Sequence, residues 1–153
     1  MDSEKQKRLV SAEEETDISR KVMIWVNTFE DDELPDGTIN YDFLPADTAG
    51  MALSTIQGTY ITRRYILGGH EAEYQFKIIS RIMPGKGASN DKRLKADALL
   101  NRLGDWAAEN WPDLGENVRV RHVEPVSRAA LYARYEDGTE DHQILMKLTY
   151  EVI

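Results

Sequence analysis

Three histidines and a dense run of carboxylates are the residues of this chain best suited to chemistry. Glu140-Asp141-His142 sets two carboxylates beside an imidazole, a pairing that can orient a general base. No nucleophile motif accompanies it, and Asp137–His142 reads instead as the solvated end of a hairpin. His122 falls on the face of Val118 and Val120, which predicts a half-buried ring. Together with Glu124 it offers two ligands, whereas a metal site needs three or four. His70 follows Gly69 in a turn and reads as exposed.

The carboxylates between Glu30 and Asp47 invite a cation reading. Counted from Asp32 as position one, a calcium-binding loop would need oxygen ligands at Leu34 and Phe43, so that frame fails. A looser site built from Asp31, Asp32 and Asp36 stays open beside the plainer reading of a solvated, self-repelling segment. Gly85-Lys86-Gly87 lacks the spacing of a phosphate-binding loop and reads as a turn. The chain contains no Cys, which excludes disulfides, thiolate nucleophiles and Cys-ligated metals. No cofactor is expected.

These residues need a scaffold. The 153 residues fit one domain. With 27 acids against 19 bases, the net charge of −8 argues against general nucleic-acid binding, which needs a basic excess. No apolar run reaches the ~20 residues that span a bilayer. Met1–Val10 is charged, lacks the apolar core of an export signal, and reads as a flexible end before a domain over 11–153.

Ser11 with Glu14 three residues later is a helix-start signature. Ile18, Val22, Trp25, Val26 and Phe29 continue as one apolar stripe, predicting a helix from Ala12 to about Phe29. A second helix starts at Asn90 and ends at Trp111-Pro112, with Leu94, Ala98, Leu99, Leu103, Trp106 and Ala107 as its stripe. Gly104 inside it should cost ~1 kcal/mol against Ala. Thr59–Leu67, Gly68-Gly69 and the alternating run from Ala72 to Ile82 predict a β-hairpin. Alternation around Val118–Arg121 and Ala129–Tyr135, the Asp137-Gly138 turn and the run Gln143–Val152 predict three further strands.

Alternating strands imply a sheet with one buried and one wet face. The expected fold is therefore α+β, a mainly antiparallel sheet packed on one face by two helices in a two-layer sandwich. Its open edges must be blunted or used. The segment 30–53 is too long and too acidic for an ordinary connection, and no Lys or Arg occurs from Glu30 to Thr62. Phe43, Leu44 and Met51 within it either tuck beneath the segment or anchor another subunit. Asp31, Asp32, Asp36, Phe43, Leu44 and Met51 are the candidate contact residues. Basic pairs at Arg63-Arg64, Lys92-Arg93 and Arg119/Arg121 read as partners for acids, within the chain or across an interface.

Several strings together resemble a known group. They are Val22-Met-Ile-Trp-Val-Asn-Thr28, Leu53-Ser-Thr-Ile-Gln57, Tyr74-Gln-Phe-Lys77, Asp91-Lys-Arg-Leu-Lys-Ala-Asp97 running to Leu103-Gly-Asp-Trp106, and Leu131-Tyr-Ala-Arg-Tyr135. From about Ser11 to Ile153 the chain resembles the minor capsid or tail-terminator (tail completion) proteins of long-tailed phages and prophages. The resemblance is one of overall pattern. It implies a sheet packed by two helices and a non-enzymatic role in the virion. It further implies a homo-oligomer, a hexameric ring on the last ring of the tail tube that contacts a head-completion or connector protein. DNA would pass through without specific binding, and the free protein can be a monomer. The implied location is the head–tail junction, reached from the host cytoplasm, with no membrane. Another connector or minor capsid role, and a small enzymatic or ligand-binding domain, are the alternatives.

Overall fold

The computed structural model describes residues 8–35, 38–44, 48–84 and 90–153. Among these residues the chain is α+β, with two helices and seven strands in one mainly antiparallel sheet. In chain order the elements are β1 (Arg8–Leu9), α1 (Ala12–Val26), β2 (Asn40–Tyr41), β3 (Gly50–Arg64), β4 (His70–Ile82), α2 (Asn90–Glu109), β5 (Val118–Pro125), β6 (Ala130–Arg134) and β7 (Glu140–Val152).

The long antiparallel strands β3, β4 and β7 form the centre of the sheet, β4 pairing with β7 from His70↔Val152 to Ile82↔Glu140. Short strands finish both edges. β1 pairs antiparallel and β2 parallel with β3, while β5 and β6 both pair with β7. Arg8 and Leu9 lie opposite Ile61 and Tyr60, and Val10 is buried, so the N-terminal segment read as flexible is tied to the sheet from Arg8 onward.

Side-chain alternation sets the core. Ala72, Tyr74, Phe76 and Ile78 of β4 join Ile144, Met146, Leu148 and Tyr150 of β7 in one buried cluster with residues of both helices. Ser11 caps α1 by accepting from the Glu14 amide at 3.1 Å. Asn27 ends the helix three residues short of the predicted stop, its side chain donating to the Met23 carbonyl. Trp25 and Trp106, each on its helix's predicted apolar stripe, stack with ring centroids 5.2 Å apart and join the two helices.

The α2 stripe needs correction. Its buried residues are Ala96, Leu99, Leu100, Leu103, Gly104 and Ala107, whereas Leu94 and Ala98 are exposed. Gly104 does more than weaken the helix: a Cβ there would lie 2.8 Å from Ile144 Cδ1, so its absence lets α2 approach β7 closely.

The first hairpin is also longer than alternation suggests. β3 starts at Gly50 rather than near Thr59, and a register shift between Thr55 and Thr59 breaks its period. Gln57 and Gly58 take positive φ at that bulge. Such an irregularity re-aims side chains and hides a strand from a period-two reading.

Candidate functional site

Segment 30–53 is anchored at several points. The Asn27 side chain accepts from the Ile39 amide and donates to its carbonyl, at 2.8 and 3.1 Å, and Ile39 is buried. Asp42 donates its amide to the Leu53 carbonyl, extending the β2–β3 contact. Asp31 takes a two-pronged contact from Arg102 Nε and Nη2 at 2.7 and 2.9 Å, and also accepts from the Glu33 amide. The guanidinium hydrogen bond is the main cause holding the Asp31 carboxyl below its ordinary value. Its oxygens are thus already engaged. No cluster of three or more His, Asp or Glu able to hold a metal occurs among the described residues.

The six predicted contact residues separate accordingly. Asp32 is exposed, Leu44 is half-buried, and Phe43 is 60% exposed. Met51 is 3% exposed inside the core, so it tucks under the segment and is withdrawn as a surface anchor. Asp36 lies outside the described residues, as does the Gly85-Lys86-Gly87 turn.

The histidines overturn their sequence readings. His70 begins β4, and its Nε2 lies 2.8 Å from Glu14 Oε2, which also accepts the Tyr150 hydroxyl at 2.6 Å. Burial first, then this carboxylate, push the Tyr150 hydroxyl above its usual value. His122 is exposed rather than half-buried, because a register shift between Val120 and His122 flips its side. Its Nε2 lies 3.0 Å from Glu124.

The largest departure is at the start of β7. Glu140, Asp141 and His142 form a buried ionic network rather than a solvated hairpin end, with Glu140 1% and His142 2% exposed. Glu140 receives Arg93 Nε at 3.0 Å to both oxygens, Arg134 Nε at 2.9 Å, and lies 3.2 Å from His142 Nε2. The Arg93 hydrogen bond leads in holding Glu140 down to about 2, against the opposing effect of burial. On the other face, Arg81 grips Asp141 through two bonds of 2.7 and 2.8 Å, and Tyr135 donates to the same carboxylate at 2.8 Å. His142 Nδ1 faces Asp97 at 2.8 Å. Both imidazole nitrogens therefore face carboxylates, acceptor-only when ionised. The network ties β7 to α2, β6 and β4.

The exposed surface holds two further features. The β3–β4 turn carries Ile66 at 100% and Leu67 at 99% exposure. Its frame is fixed by Tyr65–Gly69 and Gly68–Tyr65 backbone bonds and by Tyr65 donating to Glu151 at 2.7 Å. Gly69, at φ +87°, admits no Cβ beside the Val152 carbonyl. The second feature is an open groove of about 480 Å³ along α1, lined by Glu15, Ser19, Arg20, Met23, Ile24 and Tyr41 among others. Glu15 Oε1 accepts from the Thr59 amide at 2.7 Å, while Oε2 is buried without a hydrogen-bond partner.

No protein-family model and no curated protein matches this chain. Sequence reasoning missed both features: the hairpin was predicted, but nothing in a period-two pattern says that its apolar tip stays bare. The signal was Ile66-Leu67 directly before two turn glycines, where polar residues are usual.

Proposed function

We propose that this protein is a structural virion component of a long-tailed phage or prophage, a subunit of a ring that terminates the tail tube and joins it to the head. The observation that carries this reading is the braced hairpin tip with Ile66 and Leu67 wholly exposed. Single exposed apolar residues are ordinary, but an adjacent pair projecting on a fixed turn has the form of an anchor for another protein surface. The pattern resemblance to tail-terminator proteins supplies the biological setting.

In this reading the two helices cover one face of the sheet as a two-layer sandwich, and subunits meet around its periphery. A ring requires a heterologous contact, in which one patch meets a different patch on the next subunit. The exposed acids of the described residues 30–44 face the lumen, where carboxylates repel the phosphates of passing DNA, and no Lys or Arg occurs from Glu30 to Thr62 to offset them. Asp32, exposed and without Asp31's arginine clamp, is the described acid best suited to that task. The protein acts without turnover, through contacts with itself, the tail tube protein and the head connector.

The test is light scattering joined to negative-stain imaging, with and without the tail tube protein. Rings that cap tubes and fix their length are expected. Tubes that elongate equally in the presence of the protein, with no particle bound at their ends, refute the terminator function. Binding to the head portal but not to the tube assigns the connector role instead.

A further inference from the structure

We propose that the β3–β4 tip and the arginines behind it form one docking surface for an acidic partner protein, whose apolar hollow takes Ile66 and Leu67 and whose rim carboxylates meet Arg63, Arg64, Arg119 and Arg121. The choice of the tail tube as that partner rests on the assembly reading above; the surface and its chemistry do not.

Three aliphatic side chains gather at this end of the sheet. Ile66 and Leu67 are wholly exposed. Ile153, also exposed, lies beside the turn, its carbonyl carbon 3.5 Å from where a Gly69 Cβ would sit. A convex knob on a fixed turn is covered by a concave apolar surface.

Register sets the charge behind the knob. Arg63 of β3, Glu71 of β4, Glu151 of β7 and Arg119 of β5 lie opposite one another in one row across four strands, about 14 Å wide at the usual strand spacing. The side chains of Glu71 and Glu151 are only 19% and 13% exposed, whereas those of Arg63, Arg119 and Arg121 are 64%, 62% and 50% exposed. Arg119 and Arg121 share Glu151 at 3.4 and 3.5 Å, and Tyr65 donates to the same carboxylate. Arg64, opposite His70, makes no ion pair among the described residues. Four guanidinium groups against two carboxylates sum to +2, on a chain whose net charge is −8.

Depth completes the match. Arg63 precedes Ile66 by three residues, so the row stands at most about 10 Å behind the knob. Arginine side chains cover most of that distance, reaching a rim while the aliphatic pair fills the hollow. Guanidinium groups at fixed positions in a sheet row recognise fixed carboxylates through two-pronged bonds. A lipid surface, whose head groups move, does not read the spacing of the row, and the net negative charge repels anionic bilayers.

Co-sedimentation with assembled tail tubes tests the surface. Ile66→Ser/Leu67→Ser should weaken binding ~100-fold. Arg63→Gln/Arg119→Gln should weaken it ~10-fold at low salt and flatten the salt dependence of the wild type. Arg128→Gln, exposed beyond the far end of β5, is the control and should change nothing. All these side chains are exposed, and unchanged urea midpoints verify the fold.

Unchanged tube binding by both double variants overturns the docking surface and leaves the terminator function to another face. Loss with the serine pair but not with the glutamine pair overturns the acidic partner. Binding to the head portal instead of the tube, lost in the same variants, keeps the surface and moves the function to the connector. Tip-dependent binding to vesicles of phosphatidylcholine with about 30% phosphatidylglycerol makes the occupant a lipid surface and overturns the proposal. Tip-dependent self-association without the tube makes it a second copy, with the same consequence. A wild type that binds neither tube nor portal refutes the surface and the assembly function together.

Discussion

Replacing Glu140 by Gln is the sharpest perturbation of the ionic network, because it keeps the side-chain shape and removes one buried charge. Glu140 faces Arg93, Arg134 and His142, and its native carboxyl titrates near 2 rather than 4.5. A shift of that size corresponds to roughly 3 kcal/mol at 1.36 kcal/mol per pH unit. The Arg93 and Arg134 side chains are 35% and 59% exposed, so solvent screens part of it, leaving roughly 2 kcal/mol. The folded pKa lies below the unfolded one. The stabilisation is therefore complete above about pH 4.5 and fades as pH falls toward 2, where the native carboxylate finally takes its proton.

Equilibrium urea unfolding of wild type and Glu140→Gln, from pH 7 down to pH 2, reads this directly. At pH 7 the variant should be less stable by roughly 2 kcal/mol, since its arginines lose a charged partner. Near pH 2 the two proteins should converge to within about 1 kcal/mol. Asp31, Glu124 and Glu151 also have lowered pKa values, but both proteins contain them, so they cancel in the difference. Equal stability at pH 7, or a gap that does not change with pH, refutes the assignment of Glu140 as the charge at the centre of this network.

Other residues give further checks. Gly69→Ala should lower Tm by several degrees more than Gly68→Ala in a thermal scan; both sit at positive φ, but only at Gly69 would the new methyl strike the Val152 carbonyl. Trp25→Ala removes the stack on Trp106 and the 2.6 Å bond from its indole to the Asn110 carbonyl, and should cost about 3–5 kcal/mol in urea unfolding. Arg102→Ala should cost no more than about 1 kcal/mol, its side chain being half exposed, while an NMR titration shows Asp31 moving up toward its ordinary pKa.

The elements were legible where sequence period and structure share one cause. Ser11 caps a helix because its hydroxyl accepts from the Glu14 amide, and β7 alternates because one of its faces is buried. Legibility failed at two kinds of place. Bulges at Gln57-Gly58 and near His122 break the period, so half of β3 was hidden and the His122 ring was assigned to the wrong side. Long-range pairing was the other limit. Nothing near Glu140 in the chain announces Arg93 from α2, just as nothing near Asp31 announces Arg102, and a run of charges without its partners reads as solvated. Of the predicted contact residues, Phe43 and Asp32 are exposed and Met51 is core, because Met51 sits in β3 opposite Ser80 while Phe43 and Asp32 lie outside the strands.

The two ends of β7 bear on one mechanical requirement. At its start, Glu140 and Asp141 are gripped by arginines from α2, β6 and β4, which ties the strand to its neighbours on both faces. At its end, Val152 pairs with His70 and lies against Gly69, while Glu151 holds Tyr65 at the base of the exposed turn. The Ile66-Leu67 tip thus projects from a strand pair clamped over its whole length. A tip held in one conformation loses less entropy on meeting another surface than a loose loop would. Loosening the far end should therefore weaken docking without touching the tip. Glu140→Gln, at a temperature where it remains folded, should bind the tail tube proposed as its partner less tightly than wild type, and equal affinity would mean that the turn's own glycines and Tyr65 suffice to hold it.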